Sequence, residues 1–230
     1  QNRIAFAEAG VTAPIHVVPL GVDPDRWQYK ARRRGDIFTF LISAGLTMRK
    51  NPLGAARAFV AAFPNKEDVR LILKTRGAVT AEGFHEWVKW LPVDSRILVV
   101  KEESTPAQMA AWMQQADCFV FPSKGEGFGL CPLEAMATGA PTILSANSGM
   151  LEYAREGYNY PIVCSPIPVP RQPDPAAYPE AWGDVGEWWE PDFAHLVETM
   201  RSVYRTPEDA YLTGHRAAAT SPSRPVCGTS

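Results

Sequence analysis

Cysteine is scarce in this 230-residue chain. The four present, Cys118, Cys131, Cys164 and Cys227, show neither a C-x-x-C pair nor zinc-finger spacing. That excludes a disulfide-built scaffold and suits a reducing compartment. Histidine is equally sparse: His16, His85, His195 and His215 have no metal-ligand spacing and no partnered nucleophile. Charge of one sign is missing too. With 23 basic and 25 acidic residues the net charge is −2, which gives no support for nucleic-acid binding as a main function. No apolar run approaches the length needed to cross a bilayer, and no secretory signal is visible. What remains is 46% hydrophobic and 21% charged, an ordinary globular composition long enough for one large domain or two small ones.

Short apolar runs alternate with helical stripes, the sequence mark of a parallel, doubly wound α/β sheet of Rossmann-like type. Strands are expected at Ile15–Val18, Ile37–Ser43, Val69–Lys74, Ile97–Val100, Cys118–Phe121, Thr142–Leu144 and Pro161–Cys164. Asn51-Pro52 is expected to cap a helix whose apolar face includes Leu53, Ala56, Val60 and Phe63. Thr105-Pro106-Ala107-Gln108 spells a capping box, and Thr206-Pro207 opens the last helix. The basic run Lys30, Arg32, Arg33 and Arg34 reads as a solvated loop before a strand, with contact to an anionic membrane surface as the alternative. Residues 165–187 carry Pro166, Pro168, Pro170, Pro173, Pro175 and Pro179, which argue against a regular ladder and for a surface insertion. Trp182, Trp188 and Trp189 are expected to pin its far end. One domain over 1–219 is expected, with 220–230 as a frayed tail.

The densest chemistry lies in Pro122-Ser123-Lys124-Gly125-Glu126-Gly127-Phe128-Gly129-Leu130-Cys131-Pro132-Leu133-Glu134. Two carboxylates, Glu126 and Glu134, stand eight positions apart around a glycine turn between a buried strand and a helix. The helix is expected over Leu133–Thr138, with Pro132 near its first turn and Glu134 within that turn. A helix N-terminus presents unpaired N–H groups and partial positive charge, so it suits phosphate. Gly127 and Gly129 let the main chain approach a ligand. The amides of Gly127, Phe128, Gly129 and Leu130 would cradle phosphate and sugar hydroxyls, with Phe128 shaping the pocket. Arg49 and Lys50 follow a strand at its carboxyl end, where open α/β sheets bind ligands. Lys74 ends another strand, where phosphate contact and plain solvation are both open readings.

These residues resemble the E-x7-E signature of retaining glycosyltransferases with the GT-B fold, especially family four. The family motif runs EGFGLPPLEAMACGTPVI against EGFGLCPLEAMATGAPTI here, so Cys131 stands for the first proline and reads as structural. Val18-Pro19-Leu20-Gly21-Val22-Asp23 looks like the entry to the donor-binding domain, and Ser145 to Glu152 matches the S-x-x-S-G-x-x-E continuation. The similarity spans roughly residues 14 to 205. It implies that the chain is the C-terminal, donor-binding half of such an enzyme, with an N-terminal acceptor domain missing and the fragment alone inactive. It also implies that Glu134 accepts hydrogen bonds from the nucleotide ribose and that Glu126 lies beside the transferred sugar. The family's glycine-arginine pair is Gly45-Leu46 here, so Arg49 is read as replacing the missing arginine, with Lys50 in the family position.

The resemblance implies a nucleoside diphosphate sugar as donor, no other cofactor, no essential metal, and retention of anomeric configuration. It implies a cytoplasmic protein, with the inner membrane face as an alternative setting, in polysaccharide or glycoconjugate synthesis. Two other functions stay open: a catalytically incomplete nucleotide-sugar-binding module, and a GT-B nucleotide-sugar epimerase. Asp23-Pro24-Asp25 superficially spells a metal-binding D-x-D but reads as turn chemistry.

Overall fold

Six of the apolar runs form one parallel sheet. The computed structural model describes residues 2–16, 18, 20–75, 81–169 and 186–220. After a short helix α1 (Asn2–Glu8) and an irregular crossing segment come β1 (Phe38–Ser43), α2 (Pro52–Ala62), β2 (Val69–Thr75), α3 (Ala81–Val88) and β3 (Ile97–Lys101). Then follow α4 (Pro106–Gln115), β4 (Cys118–Phe121), α5 (Leu130–Ala137), β5 (Thr142–Ser145), a 3-10 turn (Ser148–Glu152) and β6 (Tyr160–Ile162). A separate antiparallel ribbon, β7 (Cys164–Pro168) and β8 (Glu187–Pro191), precedes α6 (Phe193–Arg205) and α7 (Pro207–Thr220).

The strand order is β3-β2-β1-β4-β5-β6. The chain builds outward from β1 in one direction, then crosses back to place β4 on the other side. Such a reversal opens a crevice at the carboxyl ends of the two central strands. Alternation along the strands divides the core in two. Phe38, Phe40 and Ile42 of β1 join Phe59 and Phe63 at α2 and Leu196 and Met200 of α6 on one face. Leu41 joins Phe119, Phe121, Met113 of α4 and Leu133 of α5 on the other. Cys118 is fully buried in the first cluster, as its apolar neighbours predict. The capping box of α4 forms in both directions: the Gln108 amide donates to Thr105 Oγ1 at 3.3 Å, and the Thr105 amide to Gln108 Oε1 at 2.8 Å.

Several expectations need correction. The described residues within Ile15–Val18 form no strand. The expected strand Pro161–Cys164 straddles the end of β6 and the start of β7. Asn51 precedes α2 in a left-handed conformation (φ 55°) and its side chain makes no capping hydrogen bond. The buried face of α2 is Ala55, Ala56, Ala58, Phe59 and Ala62, leaving Leu53 and Val60 only half-buried.

The basic run is not simply solvated. Arg32 reaches inward and donates to the carbonyls of Met113 (2.7 Å), Ala116 (2.9 Å) and Thr138 (2.8 Å), tying the crossing segment to the ends of α4 and α5. Burial lowers its pKa to about 10, so it stays charged at neutral pH. Arg34 pairs with Asp68 at 2.7 Å and lies over the Phe38 and Tyr204 rings. Only Lys30 and Arg33 remain exposed.

The prolines of the insertion do not prevent a ladder at its start. Pro166 pairs in register with Trp189, and Pro168 with Glu187. The Trp189 N–H points out of the ribbon, to the Lys124 carbonyl, so that pair is of the non-hydrogen-bonded kind and the donor Pro166 lacks would face outward anyway. Trp188 is buried, as expected of an anchor. Trp182, Pro19 and the tail 221–230 lie outside the described residues, while Thr220 closes α7.

Candidate functional site

Two loops leave the carboxyl ends of the central strands β1 and β4, and both bend into the same crevice. The first carries Arg49 and Lys50, the second Glu126. The Lys124 amide donates to the Arg49 carbonyl at 2.8 Å, which fixes one loop against the other. Glu126 Oε1 then receives three donors: Lys50 Nζ at 2.6 Å, Ser123 Oγ at 2.6 Å and Arg49 Nη1 at 3.2 Å. Arg49 Nη1 also donates to the Gly125 carbonyl. The Glu126 side chain is only 10% exposed, while Arg49 and Lys50 are 31% and 23% exposed. Lys50 Nζ lies 5.2 Å from the centroid of the Phe121 ring. The crevice thus holds two cations and one carboxylate, with the cations accessible from outside and the carboxylate beneath them.

The motif loop is braced from behind by the 3-10 turn. Glu126 N–H donates to Ser148 Oγ at 2.9 Å, and the Gly149 N–H donates to the Glu126 carbonyl at 3.1 Å. Gly149 approaches so closely that a Cβ there would sit 2.1 Å from the Gly127 carbonyl oxygen. Buried Asn147 donates from Nδ2 to the Ser123 carbonyl at 2.9 Å and accepts from Ser148 Oγ at 2.7 Å. Tyr153 donates to the Gly129 carbonyl at 2.5 Å, and its ring lies 5.6 Å from that of Phe128. Burial pushes the Tyr153 phenol far up, so it remains a donor at any physiological pH.

Helix α5 begins earlier than the sequence suggests, at Leu130, with Gly129 ahead of it in the left-handed region (φ 81°). Gly129 therefore serves the protein's own geometry, because a Cβ would lie 2.6 Å from the Tyr153 hydroxyl. At Gly127 the same atom would meet nothing within 4 Å, and the residue is exposed. Among the described residues, the amides of Gly127, Phe128, Gly129 and Leu130 donate no hydrogen bond to protein. This row of N–H groups at the helix entry is available to an anion. Pro132 is the third helical residue, where its missing donor costs nothing. Because the helix starts early, Glu134 is its fifth residue, in the second turn rather than the first, roughly 7 Å along the axis from Gly129. It is half-buried.

The structure therefore brings Arg49, Lys50 and Glu126 together beside the 127–130 amides. Lys74 is placed differently from the sequence expectation. It is 4% exposed, and its ammonium donates to the carbonyls of Thr75 (3.1 Å) and Glu102, holding β2 to the end of β3. Phe128 is half-buried against the second core cluster, a wall of the loop. Asp23 accepts from the Asp25 amide at 3.1 Å, the expected turn. Sequence reasoning assigned nothing to Ser123, Asn147 or Ser148. Their only signal is membership of the motif and its continuation, since a serine beside a buried carboxylate looks like any loop serine until the fold closes.

A parallel sheet in this order, reversing between β1 and β4, defines a Rossmann-like α/β domain. Solved structures refine the class. The chain superposes on HepE from Anabaena in complex with UDP with a TM-score of 0.68 at 16% identity, covering 94% of this chain and 55% of that one. It also superposes on the C-terminal domain of a glycosyl transferase group 1 family protein, LpcC, from Francisella tularensis, with a TM-score of 0.58 at 15% identity, covering 87% and 91%. The fold is that of the Rossmann-like half of a GT-B glycosyltransferase. By sequence the chain belongs to the family described as family 4 glycosyltransferases in conflict systems, matched over residues 2–220. A curated relative, the D-inositol 3-phosphate glycosyltransferase of Mycolicibacterium paratuberculosis, is 26% identical over 220 residues, covering 90% of this chain and 43% of that protein. The chain spans less than half the length of the curated relatives it matches.

Proposed function

We propose that this domain binds a nucleoside diphosphate sugar and, with a separate N-terminal acceptor-binding domain, transfers the glycosyl group with retention of configuration. One observation carries the reading: Arg49, Lys50 and Glu126 converge at the β1/β4 reversal, beside four amides with no acceptor among the described residues. Glycosyl transfer builds negative charge on the leaving diphosphate while the sugar ring becomes cationic. Arg49, Lys50 and the amides offer donors to the diphosphate, where such groups stabilise a transition state most. Each cation contributes roughly 1 kcal/mol at 4 Å in water and about 4 in a partly dry cleft. Once the cations turn to phosphate, Glu126 is left to the sugar, as an acceptor for its hydroxyls and a negative charge near the anomeric centre. Glu134 accepts from the ribose hydroxyls, a role for an ionised, acceptor-only group. The spacing does not describe a glycosidase pair, whose two carboxylates face one another across the bond about 5 Å apart in retaining enzymes.

The reaction is proposed to need no divalent metal, so transfer persists in EDTA. Among the described residues, membrane-spanning length is not reached by any apolar helix, and Cys118 and Cys164 are free thiols. These thiols support a reducing, cytoplasmic setting. Contact with the inner membrane face would rest on Lys30 and Arg33. The curated relative's name supports a polyol phosphate or glycoconjugate acceptor. The family description, conflict systems, favours a second acceptor outside polysaccharide assembly.

Calorimetry of the chain with UDP, GDP, ADP and TDP tests the reading: one of the four binds, and Glu134→Ala weakens that binding about tenfold. Silence from all four sinks it. In the two-domain protein, Glu126→Gln slows transfer far more than it weakens nucleotide binding, and an NMR assay of the product's anomeric configuration decides retention. An epimer formed without acceptor would favour isomerisation instead.

A further inference from the structure

Lys124 sits between Ser123 and Gly125, and three segments meet on it. Its amide donates to the Arg49 carbonyl at 2.8 Å. Its carbonyl accepts from the Trp189 N–H at 2.8 Å, so the free edge of β8 is bonded to the motif loop. Its ammonium pairs with Glu190 Oε2 at 2.5 Å and lies 6.0 Å from the centroid of the buried Trp188 ring. The Lys124 side chain is only 11% exposed, whereas Glu190 is 42% exposed. Beyond Lys124, the Arg49 side chain grips the Gly125 carbonyl and the Glu126 carboxylate. One residue's main chain and side chain thus connect the cation loop, the carboxylate loop and the β7–β8 ribbon.

A lysine that only kept a loop in water would need none of these contacts. The ribbon lies outside the main sheet and contributes no strand to it. Its main-chain bond and its ion pair to the motif loop both fall on Lys124, beside a longer tie from Cys164 through Asn147 to the Ser123 carbonyl. We propose that Lys124 is a positioning residue, through which the ribbon sets the placement of Arg49 and Glu126 and hence the affinity of the crevice for the donor's diphosphate. This rests on the nucleotide-sugar reading above. It assigns the ribbon a part in donor binding without requiring any ribbon side chain to touch the ligand. The ion pair holds the ribbon end in place, and the two main-chain bonds pass that placement on to the site.

The test uses the whole chain, with hydrogen exchange on the unliganded protein and calorimetry with whichever of UDP, GDP, ADP or TDP the unaltered chain binds. Lys124→Ala is expected to raise amide exchange several-fold in peptides covering 124–130 and 187–191, leave β1 and β2 unchanged, and weaken nucleotide binding about two- to fivefold. Glu190→Gln, which leaves the motif loop untouched, moves both readouts in the same direction. Lys124→Arg, and the exchange of charges in Lys124→Glu with Glu190→Lys, restore both to within about twofold of the unaltered chain. Unchanged exchange and affinity in Lys124→Ala and Glu190→Gln, beside normal binding by the unaltered chain, overturn the inference alone. If the unaltered chain binds no nucleotide, the functional reading fails and the affinity claim fails with it. Unchanged loop exchange in that case overturns the mechanical coupling as well.

Discussion

At the scale of single residues, the site depends on a carboxylate that accepts more than its share. Glu126 Oε1 takes a hydroxyl and two cations, and Ser123 Oγ is the one donor among them that is fully buried. A charged hydrogen bond of this kind contributes about 1.5–3 kcal/mol. Ser123→Ala should therefore lower the urea-derived stability by about 1–2 kcal/mol, with an unchanged midpoint refuting the bond's weight. What was legible at this scale is the spacing of Glu126 and Glu134 and the nearness of Arg49 and Lys50 to the crevice, because motif identity carries them. Lys74 and Arg32 were not legible. Whether a cation at a strand end or in a basic run meets water or carbonyls depends on which chain segments close over it. That is a long-range fact: the Met113, Ala116 and Thr138 carbonyls that Arg32 reaches lie more than eighty positions away.

At the scale of elements, β1 to β5 followed from apolar runs of strand length, and the α4 start from its capping box. Harder to read were the ribbon and the start of α5. Counting prolines across 165–187 hides their parity: Pro166 and Pro168 share one side of β7, where no ladder donor is needed. The start of α5 at Leu130 follows from Gly129 adopting a positive φ, a choice made by packing against Tyr153 and Met150 rather than by helix propensity. The 3-10 turn behind the motif gives the sharpest test at this scale. Gly149→Ala would drive a methyl into the Gly127 carbonyl, so either the turn or the motif loop must move. A loss of about 1–3 kcal/mol in thermal stability is expected, together with weaker nucleotide binding. A variant with native stability and affinity would refute the close approach.

Across the whole molecule, two loop carboxylates, Asp94 and Asp68, are held by neighbouring donors. Hydrogen bonds from Arg96 hold Asp94 below the usual aspartate range, and Arg96 also reaches the Phe63 carbonyl at 2.7 Å. The Tyr204 hydroxyl, aided by Arg34, does the same for Asp68. A lowered folded pKa means the unfolded chain takes up these protons first. The stability these groups contribute is then complete above about pH 4 and drains away as the pH falls through their folded values. Urea midpoints measured from pH 7 down to pH 3 should decline on the acid side, and Asp94→Asn should flatten that limb while lowering the plateau. A limb just as steep in Asp94→Asn would remove Asp94 from the explanation. The unliganded crevice also has a consequence for salt. Arg49 and Lys50 already have an internal counter-ion in Glu126, so a diphosphate bound as proposed would displace a tethered side chain in place of solution ions. Its affinity should fall only shallowly with ionic strength, unlike that of a bare basic patch.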